Sequence, residues 1–150
     1  MFQRRRAVAR GATIALAGAL TLGTLAPPVE ALSPVEKKLV QRVNGARQSH
    51  GLRRLRVSAW LSKKAQGHSN RMARQGRLYH TRCLSCMFRS RRWDKIGENV
   101  GVGNAVRQIH RAMMRSSAHR SNVLGRGFHH LGVGIRKNRR GLWVTEIFWG

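Results

Sequence analysis

Apolar residues recur at helical spacing twice in the first half of the chain. Val35, Leu39, Val43 and Ala46 fall three or four positions apart and lay one stripe along a helix that runs to about Gln48. Ser33-Pro34-Val35-Glu36 at its start reads as a capping box: the Ser33 hydroxyl accepts from the backbone of the third helical residue, proline suits the first turn, and Glu36 reaches back. Gly51 ends this helix. Leu52, Leu55 and Val57 then form a short connection, and Ser58 caps a second helix through Ala59, Leu61, Ala65, His68, Met72 and Ala73, which Gly76 stops.

No period survives over residues 77–103, so this stretch is expected to be loop, holding Cys83, Cys86 and a tight turn at Gly97-Glu98-Asn99. Asn104 is placed as the cap of a third helix with Val106, Ile109 and Met113 on one face, followed by a short turn over residues 119–124. Residues 131–136 and 142–148 pattern as two strands joined by residues 137–141, whose Asn138 and Gly141 accept positive φ. Helix, helix, loop, helix and hairpin, with no internal repeat, imply helices covering a sheet: an α+β sandwich.

The first 31 residues have a different composition. Arg4, Arg5, Arg6 and Arg10 precede an apolar run over residues 11–26 that is too short and too rich in Gly, Ala and Thr to read as a membrane span. Val29-Glu30-Ala31 then puts small residues at the two positions a signal peptidase reads, so cleavage is expected after Ala31, with residues 1–31 a signal peptide and 32–150 the folded domain. The competing reading is an uncleaved anchor. The arginines match a twin-Arg signal only loosely, which leaves the export route open.

Charge sharpens this picture. The 150 residues carry 30 Lys and Arg against 5 Asp and Glu, a formal charge of +25, and removal of residues 1–31 still leaves +22. There is enough Leu, Val, Ile, Ala, Phe and Trp for a real core, so the charge belongs to a folded domain and not to a disordered tail. The 24 Arg against 6 Lys favour planar contacts with carboxylate or phosphate, although a GC-rich genome produces the same bias.

The scarce residues are the acids: Glu36, Asp94, Glu98 and Glu146 follow residue 31. Glu36 belongs to its cap, and Asp94 beside Lys95 is expected to be solvated. Glu98 needs a cation or donors nearby, because the chain enters apolar surroundings at Val100. It serves either as a structural acceptor that pins its turn or as part of a site. Among the seven histidines, His50, His129 and His130 adjoin turns and glycines; His80 and His119 are the candidates for a metal, each through one ring nitrogen, with Glu98 orienting the other nitrogen of one of them. Cys83 and Cys86 in an exported chain point to a short disulfide; a zinc set with His80, or free thiols, are the alternatives. No nucleophile elbow, phosphate loop or His-Glu-x-x-His motif is present.

Several segments, in order, resemble the CAP superfamily, the SCP-like extracellular domain of cysteine-rich secretory, antigen 5 and pathogenesis-related proteins, in its compact bacterial branch. Val43-Asn44-x-x-Arg47 and Leu52-Arg53-x-Leu55 come first, then Arg71-Met72-Ala73 through Leu78-Tyr79-His80-Thr81. Gly97-Glu98-Asn99-Val100, the His119-Arg120-x-Asn122 core, Leu131-Gly132-Val133-Gly134-Ile135 and Trp143-Val144-Thr145-Glu146-Ile147-Phe148 follow. The resemblance implies a three-layer α-β-α sandwich with a cleft of two His and two acids that in several members binds zinc or another divalent cation. It assigns His80, His119 and Glu98 to that cleft, the two His as metal ligands. The family's second acid, carried on the third helix, has no counterpart among Met113, Met114, Arg115 and Ser116, and Glu146 is the substitute if it faces inward.

Three functions remain in competition. The first is a secreted domain, monomeric and without a stable transmembrane anchor, that binds a lipid or anionic cell-envelope ligand. The second is a metal-dependent hydrolase using His80, His119 and Glu98. The third is a basic module that holds a polyanion through Arg89-Ser90-Arg91-Arg92 and Arg139-Arg140, although such clusters also serve as solvated faces; nucleic acid is not the expected partner.

Overall fold

A computed structural model describes residues 32–89 and 92–150; the expected signal peptide and the centre of the Arg89–Arg92 cluster lie outside these residues. Helix α1 spans Pro34–Ser49, strand β1 Arg56–Val57, helix α2 Ala59–Gln75, strand β2 Ile96–Gly103, helix α3 Val106–Arg115, helix α4 Ser117–Val123, strand β3 His130–Asn138 and strand β4 Gly141–Trp149. The sheet runs in the order β1-β3-β4-β2, with β1 parallel to β3 and the other pairs antiparallel.

The expected capping box is present: the Ser33 backbone N–H and hydroxyl both donate to Glu36 Oε2, at 2.8 and 2.7 Å. Ser58 accepts from Leu61 N–H at the start of α2, and Gly76 closes that helix in the left-handed region at φ 62°. Leu39 and Val43 from α1, with Val106, Ile109 and Met113 from α3, pack on one face of the sheet against Leu131, Val133, Val144 and Phe148. Leu61, Ala65 and Met72 of α2 cover the other face against Trp143 and Ile147. The expected α+β sandwich therefore has α2 on one side and α1, α3 and α4 on the other. Gly132 and Gly134 let α2 lie directly on β3, where a Cβ would collide with the helix backbone at Leu61, Ala65 and Gln66.

The structure corrects four expectations. Residues 96–103 form an edge strand, not loop, and Gly97-Glu98-Asn99 lies within it. Its alternation is hidden because glycines occupy positions over which helices pass, while Glu98 and Asn99 are polar residues with internal partners. Residues 119–124 are mostly helical, within α4. Ala105, not Asn104, is the N-cap of α3, and no side chain caps it. The hairpin strands run further than expected and reach the pair Asn138↔Gly141, which leaves only Arg139 and Arg140 to turn; Gly141 alone there has positive φ.

A buried cation secures the helical layer. Arg47 is almost wholly enclosed, yet its guanidinium donates to the carbonyls of Arg53, Val123 and Gly125 at 2.9, 2.8 and 2.9 Å. Burial lowers its pKa from the ordinary arginine value. Asn44, one turn earlier, exchanges two hydrogen bonds with the backbone of Leu55, at 3.1 and 2.8 Å. A second buried ionisable group, Glu146, projects from β4 into the same layer. Its Oε2 accepts from Asn99 Nδ2 at 3.0 Å, while Oε1 has no hydrogen-bond partner. Desolvation pushes its pKa up to about 7, against a smaller opposing effect of the Asn99 hydrogen bond.

Both buried groups can be tested by substitution. Arg47→Lys places one compact ammonium where a planar fork reaches several carbonyls, and urea unfolding should show a loss of about 3 kcal/mol. Because the folded-state pKa of Glu146 is raised, the stability attached to its protonation is present below about pH 4.5 and is lost as pH rises through about 7. Glu146→Gln should therefore gain on wild type across that window, by up to about 3 kcal/mol at pH 8; parallel stability profiles for the two proteins would contradict the assignment.

Candidate functional site

The edge strand β2 carries the site because both helical layers reach it. On the α2 side, the chain leaves Gly76 and is anchored at Tyr79, whose carbonyl is 2.8 Å from His68 Nε2 and whose ring meets His68 edge-on at 5.1 Å. This delivers His80 and Thr81 to Glu98. His80 Nδ1 lies 2.9 Å from Glu98 Oε1, Thr81 N–H donates to the same oxygen at 2.8 Å, and the Thr81 hydroxyl donates to Oε2 at 2.5 Å. Both carboxylate oxygens are thus occupied. The Glu98 side chain is 4% exposed and that of His80 61%, so the acid lies beneath the imidazole and the imidazole faces outward. A carboxylate only accepts, so Nδ1 donates to Glu98 and Nε2 is the ring nitrogen left for other partners.

His119 comes from the opposite layer, on α4. Asn122 fixes that helix to the strand by donating to Glu98 O at 3.2 Å and to Asn99 Oδ1 at 2.9 Å. Asn99 in turn donates to the His119 carbonyl at 3.1 Å as well as to Glu146. Gly97 permits this contact, since a Cβ there would stand 2.6 Å from Asn122 Oδ1. The pKa of His119 is lowered by burial and then by the neighbouring His80, which favours the neutral ring.

The sequence-derived residues His80, Glu98 and His119 therefore converge on one edge of the sheet. Glu146 faces inward, as its proposed substitution for a second acid required, but on the other face from Glu98. Asn99 and Glu146 are cross-strand partners, and Glu98 is the next residue along β2, so its side chain points the opposite way. Glu146 supports the α4 side through Asn99 and does not join Glu98. Met113, where the family's second acid was sought nearby, is buried against the sheet. Cys83 and Cys86 form a disulfide with S–S 2.01 Å, so they are neither zinc ligands nor free thiols. Sequence reasoning missed Thr81, which closes both Glu98 oxygens, and Asn99, which joins the two faces; its signal was the polar pair Glu98-Asn99 inside an otherwise Gly and Val stretch.

The donor set for a divalent cation consists of two imidazoles, with Glu98 positioned behind one of them. Among the described residues no group of three or more His, Cys, Asp or Glu stands close enough to enclose a metal. A closed four-ligand structural zinc site does not fit these residues.

Residues 40–148 match the family model of the cysteine-rich secretory protein family, CAP. The uncharacterized protein YkwD of Bacillus subtilis is 31% identical over 123 residues, covering 77% of this chain and 48% of its own length, so the chain spans about half of that relative. Among solved structures, an extracellular protein containing an SCP domain from Bacillus anthracis superposes with TM-score 0.66 at 21% identity, over 79% of this chain and 44% of that one. An outer surface protein from Borrelia burgdorferi gives 0.68 at 15% identity, over 76% and 90%. The venom allergen-like protein 4 of Schistosoma mansoni gives 0.67 at 12% identity, over 79% and 89%. The likeness to the solved structures carries the fold, the family match covers most of the sandwich, and the chain belongs to the CAP family of cysteine-rich secretory proteins.

Proposed function

We propose that this chain acts outside the cytoplasm as a ligand-binding CAP domain, contacting a lipid or other cell-envelope molecule at the β2 edge, and that it is not a hydrolase built on Glu98. The observation that carries this reading is the state of Glu98. Both its oxygens are engaged by His80 and Thr81, which suits a group that orients the His80 ring. Among the described residues no second carboxylate shares its face of the sheet. What the edge offers a ligand is the outer nitrogen of His80, the ring of His119, and apolar surface on the segments that carry the site, where Leu78 and Val102 are exposed. An extracytoplasmic place is supported by the family match, by the SCP-domain neighbour described as extracellular, and by the disulfide. Among the described residues no helix is long and apolar enough to cross a membrane.

A second reading rests on the tautomer of His80. A carboxylate behind Nδ1 leaves Nε2 basic and oriented, which is how protein-bound metals hold their histidines. His80 and His119 would be the ligands of a weakly held divalent cation, which would offer a ligand oxygen a Lewis-acidic contact. Thr81 and Glu98 would keep the first ring in place, and Asn99 and Asn122 would hold the helix that carries the second.

Both readings have direct tests. Protein purified without a His tag and washed in high salt should release lipid on organic extraction, and His80→Ala with His119→Ala should reduce the amount while the circular dichroism spectrum is unchanged; extracts free of lipid argue against the first reading. Zinc titration by calorimetry should show one site, abolished by His80→Ala or His119→Ala and weakened about 10-fold or more by Glu98→Gln. Binding that ignores all three substitutions removes the second.

A further inference from the structure

The segment between α2 and β2 carries the Cys83–Cys86 disulfide, which neither reading of the β2 edge uses. The bridge closes only residues 83–86, and so short a loop removes little freedom from the unfolded chain. The segment also has stronger anchors. Phe88 is fully buried with Leu61, Ala65 and Ile147, and Leu84 and Met87 pack beside it. The Phe88 ring meets Trp60 edge-on at 5.4 Å. A 3-10 helix over Ser85–Phe88 orders the backbone that holds Cys86. The fold therefore keeps this segment in place without needing the sulfur bridge.

The surroundings of the two sulfurs suit exchange better than bracing. Both cysteines are exposed, so a thiol can reach either of them. They differ in what stands beside them. Arg89 Nη2 donates to Cys86 Sγ at 3.6 Å, whereas Cys83 Sγ has the neutral Ser85 hydroxyl at 3.7 Å. A guanidinium against a sulfur stabilises its thiolate, which makes Cys86 the better leaving group and Cys83 the sulfur to be attacked. Residues 82–92 hold four Arg and no Asp or Glu, so this segment has no carboxylate to offset them, and its positive field draws anionic thiolates toward the bridge.

We propose that Cys83–Cys86 is a thiol–disulfide exchange site that oxidises thiols arriving from solution. A client thiolate attacks Cys83 Sγ and bonds to it; the Cys83–Cys86 bond breaks, and its electron pair leaves on Cys86 Sγ, beside Arg89. A second client thiolate attacks the client sulfur of this mixed disulfide and releases Cys83 as a thiolate. Two client thiols have then become one disulfide, the bridge has become two thiols, and the two protons lost by the client pass to Cys83 and Cys86 or to water. A second disulfide, reacting in the reverse sense, restores the bridge. The client is a low-molecular-weight thiol or a polypeptide with two cysteines, and both present the same thiolate to Cys83.

The test follows the oxidised protein in glutathione at about pH 7, with acid quenching and mass spectrometry of the adducts. Exchange should run at least 10-fold faster than with the oxidised peptide of residues 83–86, which has the same ring and no Arg89. The glutathione adduct should form on Cys83. Arg89→Gln should slow the exchange several-fold, and Arg89→Lys, which keeps the charge, should recover most of the rate. In the reduced protein, iodoacetamide should alkylate Cys86 several-fold faster in wild type than in Arg89→Gln at about pH 7, with that advantage gone at about pH 10, where both thiols are ionised. The double variant Cys83→Ser, Cys86→Ser should keep the wild-type circular dichroism spectrum and form no adduct. Exchange no faster than in the peptide, a rate indifferent to Arg89→Gln, or a double variant that fails to fold would overturn the proposal, the last by showing the bridge to be structural. Oxidation of a two-cysteine peptide faster than of glutathione assigns the client to polypeptides, and the reverse order assigns it to small thiols.

Discussion

The sandwich depends on a cation that has no anion. Arg47 is enclosed among α1, the end of α4 and the loop that leads into β3, and backbone carbonyls take its protons. Those carbonyls belong to residues 53, 123 and 125, so a single side chain sets where the connection after α1 runs and where α4 stops. The position of α4 then fixes Asn122 and His119 against the edge strand. Burying a guanidinium is expensive unless each N–H is satisfied, and a misplaced α4 would leave several of them bare. The cleft is accurate on that side because the core would be strained by any other arrangement.

The same shortage of acids shapes the remaining polar structure. Among the described residues the one pair of opposite ionisable groups within ion-pair distance is His80 with Glu98. Elsewhere amides replace carboxylates: Asn44 holds Leu55, Asn99 and Asn122 connect the two sides of β2, and Gln66 exchanges two hydrogen bonds with the backbone of Ile135. Neutral partners suit a domain of such high positive charge, since their contacts change little with salt or pH. One exception, Glu146, is a buried carboxyl whose pKa desolvation pushes up to about 7.

Periodic elements were legible in the sequence and the edge strand was not. Val35, Leu39 and Val43 announce α1, and the alternation around Val133 and Val144 announces the hairpin, because each buries one face of a regular element. Residues 96–103 defeat that reading. Their glycines answer to helices crossing overhead, and their polar residues are buried with partners that are distant in sequence. His80, Glu98 and His119 could be named from ordered motifs, but not their division of labour. That Thr81 completes the Glu98 contacts, and that Glu146 lies on the far face, are consequences of strand parity and register, which a loop assignment could not contain.

The edge strand also has a mechanical meaning. His80 is suspended from the α2 layer and His119 from the α4 layer, and the sheet is the spacer between them. The distance between the two rings therefore behaves as a caliper reading of sandwich thickness. A bulkier residue at Gly132 or Gly134 would lift α2 and open the jaws without touching either imidazole, so substitutions remote from the cleft would retune its grip through the depth of the core.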